Sequence, residues 1–147
     1  MNEDRNALAI ALFSEVLAAD QMVRARLSRV LPKGMEISHF SVLNHLARNA
    51  VERTPAQLAE TFNVTRGAMT NTLSKLEWAG YVHIRPDWDD ARRKMVAISP
   101  AGRHARDHAV GSITPVINQV VEKLGDDKVR EALPILREIR LQLSEKP

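Results

Sequence analysis

The chain has 147 residues, of which 44% are hydrophobic, and this length suits one domain or one compact core with an appended module. It contains no cysteine, which excludes disulfides, thiol nucleophiles and Cys-type zinc sites. The formal net charge is +3, and the segment 53–103 holds this whole excess, with eight Lys/Arg against five Asp/Glu. Such a basic segment is typical of a polyanion partner, although an ordinary solvated face has the same composition.

The N-terminal residues, MNEDRNALAIALFSEV, lack the basic start and the small-residue cleavage site of a signal peptide. No apolar run approaches the roughly 20 residues that a bilayer-spanning helix needs. We therefore expect a cytoplasmic protein with no membrane partner.

Apolar residues at helical spacing predict a long first helix from Asn6 to Leu31. A proline and a glycine follow it and are expected to end it. Ser38 is then suited to cap a second helix that runs to about Arg48.

The stretch TPAQLAETF begins with a capping signal, because Thr54 is a good N-cap and Gln57 stands at the third helical position. Thr65 can cap the next helix, which is expected to end at Gly80. Two short helices joined by a tight turn are typical of a helix-turn-helix.

The second helix of this pair is predicted to have two different faces. At 100° per residue, Met69, Leu73 and Leu76 share one side. The other side is short-chained and rich in donors, as it must be if the helix backbone is to lie close against base edges. The residues expected to contact DNA from this helix are Thr65, Arg66, Gly67, Thr70, Asn71, Ser74 and Lys75. Helix capping combined with ordinary surface polarity is the simpler alternative.

Period-two alternation predicts two strands, Tyr81–Arg85 and Lys94–Ile98, on either side of a charged tip. After Ser99-Pro100 the chain is helical again, with a break at Gly125-Asp126. The first helix and the last two flank the central unit and carry apolar stripes. We expect them to form an association surface between two subunits, and a self-contained bundle core is the alternative.

The hairpin tip is the second candidate DNA contact. The guanidinium of Arg92 is suited to a narrow, electronegative minor groove, and Asp90 can orient the tip by accepting a hydrogen bond. Successive strand residues point to opposite faces, so at most one of Arg93 and Lys94 should contribute strongly. The alternative is a tip whose mixed charge only keeps it soluble.

Catalytic and metal-binding motifs find little support. No GxSxG, P-loop, HExxH or dinucleotide fingerprint is present, so we expect no enzyme activity and no cofactor. His104 and His108 have a spacing that can ligate a metal, but we interpret them as a surface pair and predict no metal site.

Three stretches resemble the multiple-antibiotic-resistance regulator (MarR) family of winged-helix transcription factors. They are ISHFSVLNHLAR, TPAQLAETFNVTRGAMTNTLSKLEWAGYV and DWDDARRKMVAISPAG, which resemble the family's second helix, its helix-turn-helix and its wing. The chain departs from the family pattern at Trp88, where a small turn residue is usual. It departs again at Ala91, which separates Asp90 from Arg92.

The resemblance implies a fold that is mainly α with a small β-hairpin wing. Residues 35–99 would form the winged helix-turn-helix, and residues 1–34 and 100–147 the helical dimerisation region. A homodimer would place helix Thr65–Ala79 of each subunit in a major groove of double-stranded DNA and each wing in a minor groove, reading a pseudo-palindrome.

The implied function is a ligand-responsive repressor with a small aromatic or anionic effector bound between the dimer helices and the winged unit. The alternative is a winged-helix module that binds a protein partner without DNA-binding activity.

Overall fold

The computed structural model describes residues 2–145. Its elements, in chain order, are α1 (Asn2–Val30), α2 (Ile37–Asn49), α3 (Pro55–Phe62), α4 (Arg66–Trp78), β1 (Val82–Pro86), β2 (Lys94–Ile98), α5 (Pro100–Leu124) and α6 (Asp126–Ser144). The predicted class is confirmed: the chain is mainly helical, and an antiparallel hairpin follows a helix-turn-helix.

The chain divides into two compact units, residues 1–112 and 113–147, and the division falls inside α5. The first unit contains the helix-turn-helix, the hairpin and the start of α5. The second contains the remainder of α5 and all of α6.

One apolar core holds the first unit together. Side chains from three helices and both strands are buried in it: Val42, Leu43 and Leu46 of α2, Leu58 and Ala59 of α3, Met69, Leu73 and Leu76 of α4, Val82 of β1 and Val96 of β2. In α4, spacings of three and four residues put the buried side chains on one face. Burial of this many aliphatic side chains, at about 25 cal/mol per Å² of apolar surface, fixes α4 and the hairpin against the same support.

The caps of α3 and α4 confirm the sequence signals. The hydroxyl of Thr54 accepts the Gln57 N–H at 3.1 Å, and the Gln57 side-chain oxygen accepts the Thr54 N–H at 2.9 Å. The hydroxyl of Thr65 accepts the Ala68 N–H at 3.1 Å. Each bond satisfies a backbone donor that a helix start leaves unpaired.

The expected cap of α2 is wrong. The helix begins at Ile37 with Glu36 as its N-cap, so Ser38 lies inside the first turn. His39 supplies the return bond of the cap, because its Nδ1 accepts the Glu36 N–H at 3.0 Å. Serine is the commoner capping residue, but His39 is buried and its packing fixes where the helix starts.

The hairpin pairs Val82 with Ile98 and Pro86 with Lys94 in antiparallel register. Its first strand starts one residue later than predicted, because the Tyr81 N–H still bonds to a carbonyl of α4 at 2.9 Å. Arg53 forms an isolated bridge with Val96 on the other edge of β2.

Helix α1 is exposed along its length, and none of the residues that the structure describes in it is buried. By length and composition alone it could cross a membrane, which corrects the expectation that no segment approaches that requirement. A helix covered by another protein subunit meets the same criteria. The apolar stretch also carries Glu15 and Asp20, and Asp20 forms an exposed ion pair with Arg24 at 3.1 Å. Charges of this kind are costly inside a bilayer.

Candidate nucleic-acid interface

The two predicted faces of α4 are present in the structure. Met69, Leu73 and Leu76 are buried, each with no more than 3% of its surface exposed. All seven predicted contact residues, Thr65, Arg66, Gly67, Thr70, Asn71, Ser74 and Lys75, are exposed. The helix therefore offers a polar face that no other described part of the first unit covers.

A tight turn sets the angle at which α4 leaves α3. Asn63 has a φ of 51°, in the left-handed region that asparagine tolerates better than most residues. Its N–H and that of Val64 bond back to carbonyls of the last turn of α3. The chain can then start α4 at once with the Thr65 cap.

The structure places part of the wing beside the exposed polar face of α4. Thr70 and Ser74 of α4 line a cleft of about 260 Å³ together with Lys94 of β2. Lys75 is not part of this cleft and lines a different cavity. Of the predicted α4 residues, Thr70 and Ser74 therefore line one concave surface and Lys75 another.

At the wing tip, the aspartates bond to the loop itself. One Asp87 carboxylate oxygen accepts the Asp89 N–H at 3.0 Å, and the other binds the Arg93 guanidinium at 2.9 Å. The Asp90 carboxylate accepts both the backbone N–H and the Nε of Arg92, at 3.1 and 3.2 Å. The hydrogen bond from Asp89 and the pairing with Arg93 lower the pKa of Asp87.

The bases of the tip project further than its acids. The side chain of Arg92 is 92% exposed against 35% for Asp90, and that of Arg93 is 58% exposed against 13% for Asp87. Three acids in four positions make this loop look neutral in sequence. In the folded loop the Asp87 and Asp90 carboxylates brace the turn and Asp89 is exposed, while the Arg92 guanidinium projects outward.

Arg93 and Lys94 differ in their surroundings, because Arg93 belongs to the tip and Lys94 begins β2. Arg93 has two nitrogens on Asp87, and its backbone N–H donates to the Asp90 carbonyl at 3.0 Å. Lys94 faces the cleft shared with α4. Arg93 thus braces the loop, whereas the Lys94 ammonium is available to an outside anion.

Sequence reasoning missed one group beside the tip. Arg85 forms a salt bridge with Glu52 at 2.9 Å, and its guanidinium lies 3.8 Å from the centre of the Trp88 ring. Glu52 is 33 positions earlier in the chain, so no local pattern connects it with the wing. The departure at Trp88 was the available signal.

A second concave surface lies behind α4 in the first unit. This cavity of about 780 Å³ has polar and cationic walls from Lys33, Lys75, His39, His104 and His108, and its apolar wall includes Met35, Leu76, Ala79 and Tyr81. Burial lowers the pKa of His39, with Lys75 adding to that effect and Glu36 opposing it. His39 is therefore neutral near neutral pH, and the lysines supply the fixed positive charge.

His104 and His108 both line this cavity. Within residues 2–145, however, no three His, Asp or Glu side chains are grouped so that they could hold a metal ion.

Comparison with known proteins agrees with this geometry. The family model described as "MarR family" matches residues 33–93, the region of α2, the helix-turn-helix and the wing. An HTH-type transcriptional regulator of Bacillus subtilis, YdgG, is 26% identical over 138 residues, which cover 92% of this chain and 90% of the relative.

Solved structures share the fold. A mutant MarR from E. coli complexed with operator DNA superposes with a TM-score of 0.77 at 23% identity, covering 89% of this chain and 94% of that one. CouR from Rhodococcus jostii RHA1, bound to p-coumaroyl-CoA, gives a TM-score of 0.73 at 24% identity, covering 87% of this chain and 88% of its own. The exposed polar helix, the hairpin and the matched region make residues 33–93 similar to the winged helix-turn-helix of the MarR family, and nearly the whole chain is similar to an HTH-type transcriptional regulator.

Proposed function

We propose that this protein is a homodimeric, ligand-responsive repressor in the cytoplasm that binds a pseudo-palindromic operator and has no enzyme activity. Each subunit places the exposed face of α4 in a major groove and its wing in the adjacent minor groove. Two copies related by a two-fold axis then read half-sites about one helical turn, roughly 34 Å, apart.

The observation that carries the proposal is the asymmetry of the wing tip. The carboxylates of Asp87 and Asp90 are engaged by the loop backbone and by arginines, whereas the Arg92 side chain is 92% exposed. Of the three tip aspartates, only Asp89 is exposed beside it. An outward guanidinium on a braced hairpin is suited to the negative potential of a narrow minor groove.

The exposed face of α4 supports base readout beside it. Asn71 can bond adenine through two hydrogen bonds, and Arg66 can bond guanine in the same way. Gly67 has open space beyond its Cα, so the helix backbone can approach the groove closely. Thr65 and the helix N-terminus are suited to a phosphate.

The apolar surface of the terminal helices supports the dimer. Among the residues that the structure describes, none in α1 or α6 is buried, yet both helices carry large exposed aliphatic side chains. These include Leu8 and Leu12 of α1 and Leu136 and Leu143 of α6, which are 44–72% exposed. Exposed apolar surface on this scale marks an interaction site, and a second copy of the chain covers it with matched apolar helices.

The cavity behind α4 supports the effector. Its volume of about 780 Å³ lies within the range of about 300–1,000 Å³ that small-molecule sites occupy. Two lysines beside an apolar wall suit an aromatic ring that carries a carboxylate. Lys75 belongs to α4, so an anion held there binds one orientation of the recognition helix better than another and shifts the population between them.

The alternative, a winged-helix module for a protein partner, predicts a different surface on α4. Protein interfaces are enriched in aromatic and large apolar residues at their centre, whereas none of the predicted contact residues of α4 is aromatic or aliphatic. The exposed Trp78 lies at the last position of the helix, outside that set. The wing tip presents guanidinium groups, which a duplex neutralises directly.

Selection of bound fragments from a genomic or random library, followed by binding at several salt concentrations, tests the proposal. We expect one pseudo-palindromic sequence to be enriched and log affinity to fall linearly with log salt concentration. Binding that ignores salt, or no binding to any duplex, would contradict a DNA-binding role and favour the protein partner.

The effector is tested on the selected duplex with a panel of aromatic carboxylates, each compared with its neutral amide. We expect at least one carboxylate to release the DNA while its amide does not, because Lys33 and Lys75 provide charge in the cavity. Equal release by carboxylates and amides would remove the anionic part of the proposal, and no release by any of them would remove the ligand response.

A further inference from the structure

We infer that Trp88 is a DNA-contacting residue of the wing, and that its indole makes a non-ionic contact with deoxyribose or base surface next to the contact of Arg92. The inference rests on the proposed DNA-binding function and extends it to a residue at which this chain departs from the family pattern.

The first step is exposure. The Trp88 side chain is 84% exposed in a loop otherwise made of charged and small residues. A large indole in water forgoes the free energy that burying its surface would release. Single exposed apolar residues are ordinary, and Trp78 at the end of α4 is 93% exposed, so the inference uses the place of Trp88 at the wing tip together with its exposure.

The second step is order. The Arg85 guanidinium lies over one face of the indole, 3.8 Å from the ring centre, and is itself held by both Glu52 carboxylate oxygens at 2.9 and 3.0 Å. It also donates to the Pro86 carbonyl at 2.9 Å. A guanidinium with two hydrogen bonds and an ion-pair contact is a fixed support, so the indole is positioned before any partner arrives. Preordering lowers the entropy cost of a contact.

The third step is the kind of partner. One face of the ring is covered by Arg85, which leaves the opposite face and the edge open. The surrounding loop directs Arg92 outward and engages Asp87 and Asp90 internally. A partner at this surface meets an apolar plane and the projecting Arg92 guanidinium, with the exposed Asp89 beside them. A nucleic acid offers phosphates, apolar sugars and base surfaces at the same spacing, and side chains that enter the minor groove are frequently apolar.

The test uses the full-length protein and a duplex of about 30 base pairs selected by the wild type, long enough for two half-sites one helical turn apart. The chain has two tryptophans, so Trp78→Phe leaves Trp88 as the sole indole. In this background we expect the duplex to protect Trp88 fluorescence from quenching by acrylamide.

Affinity is then compared for Trp88→Ala and Trp88→Phe in the same background. Stacked aromatic contacts with bases are worth enough that we expect Trp88→Ala to weaken binding about tenfold, with Phe in between. The slope of log affinity against log salt should not change, because the contact is not ionic. Arg92→Ala, the contrasting variant, should flatten that slope.

The result that overturns the inference is a Trp88 that stays as quenchable on the duplex as in the free protein, or a Trp88→Ala affinity within about twofold of the Trp78→Phe parent. Thermal midpoints of the two Trp88 variants, measured without DNA, check that the fold is intact. The Phe variant retains an aromatic face for Arg85, so it keeps the contact testable if the Ala variant disturbs the loop. A wild-type protein that selects no duplex would overturn the proposed function. A wild-type protein that binds DNA, with neither the quenching nor the affinity measurement changing at Trp88, would overturn only this inference.

Discussion

At the scale of single residues, the wing shows how side-chain bonding decides what a charged segment presents. Arg92 and Arg93 are both arginines and are adjacent in sequence. The Arg93 guanidinium, however, donates through two nitrogens to the half-buried Asp87 carboxylate. The Arg92 side chain bonds to Asp90 through Nε alone, so the other guanidinium nitrogens remain exposed to solvent. The residue type alone therefore does not show which arginine is available to contact DNA, whereas the geometry of the loop does.

Arg92→Ala is expected to weaken operator binding about tenfold and, if the contact is with a phosphate, to flatten the log-affinity slope against log salt by about 0.9 per subunit. Fluorescence anisotropy on the selected duplex measures both quantities. Arg130→Ala is the matched control: Arg130 is also exposed and also pairs with a nearby aspartate, Asp127, but it lies in α6. Equal losses for the two variants would contradict a specific role for Arg92.

A second residue-scale feature is the close contact where α5 begins. The Ser99 hydroxyl donates to the Gly80 carbonyl at 2.6 Å and accepts the Gly102 N–H at 2.9 Å. A Cβ at Gly102 would collide with the Tyr81 carbonyl and press on the Ile98 side chain. This glycine is required by close packing, which no local pattern in SPAG reveals.

Gly102→Ala should therefore lower the free energy of unfolding by about 1–3 kcal/mol, the usual cost of overpacking. Gly111→Ala in the same helix meets open space and should instead raise it by about 0.5–1 kcal/mol through helix propensity. Urea denaturation at fixed protein concentration compares the two. Similar effects of both substitutions would show that the contact at Gly102 can relax freely.

At the scale of elements, α3 and α4 could be predicted from local sequence, because their starting signals are side chains that bond within the same turn. The box of Thr54 and Gln57 and the cap at Thr65 formed as expected. Helix α2 differed, because its start depends on burial of His39 in the first unit. Burial of a residue is a tertiary property, so a local rule chose Ser38 instead.

His39 also makes the stability of the protein depend on pH. Burial lowers its folded-state pKa below the ordinary 6.5, and Lys75 adds to this effect while Glu36 opposes it. Between the folded and unfolded pKa values, the unfolded chain binds more protons than the folded chain. The contribution of His39 to the free energy of unfolding is therefore fully present above about pH 6.5 and is lost as the pH falls toward the folded pKa. Protonation of Nδ1 also removes the acceptor for the Glu36 N–H.

We expect the urea midpoint to decrease from pH 7 to pH 5, and His39→Gln to reduce this decrease, because Gln can complete the same capping box without titrating. His45, whose pKa is lowered by burial and then by Arg53, accounts for a remaining slope. An unchanged pH dependence in His39→Gln would exclude His39 as a source.

At the scale of the whole molecule, the exposed terminal helices are the feature that bears on oligomeric state. A chain that leaves α1 and α6 without a buried residue in their described parts exposes more aliphatic surface than a monomer usually tolerates. The large apolar residues of α1 are exposed, and none that the structure describes in this helix is buried within the chain. A dimer is the proposed answer to that exposure.

Sedimentation equilibrium should give twice the 16.5 kDa mass of the chain. Leu12→Glu, which puts a charge on the apolar stripe of α1, is expected to shift the protein toward monomer and to lower operator affinity by at least about tenfold, since two linked half-sites bind together. Gln21→Glu adds a charge to the same helix at an already polar, exposed position and should leave the dimer intact. A monomeric wild type at micromolar concentration would contradict the proposed assembly.

The sequence by itself determined what depends on neighbours a few positions away: the order of the elements, the buried and polar sides of α4, the capped starts of α3 and α4, and the resemblance to the family. Tertiary structure decided which tip residues face outward, where α2 starts, why Gly102 must be glycine, and that Lys75 and Lys94 line different concave surfaces. The physical reason is the distance along the sequence over which each interaction acts. Periodicity and capping act within one or two helical turns, whereas the bond between Arg85 and Glu52 and the packing of the α5 start against Tyr81 join residues that only the folded core brings together.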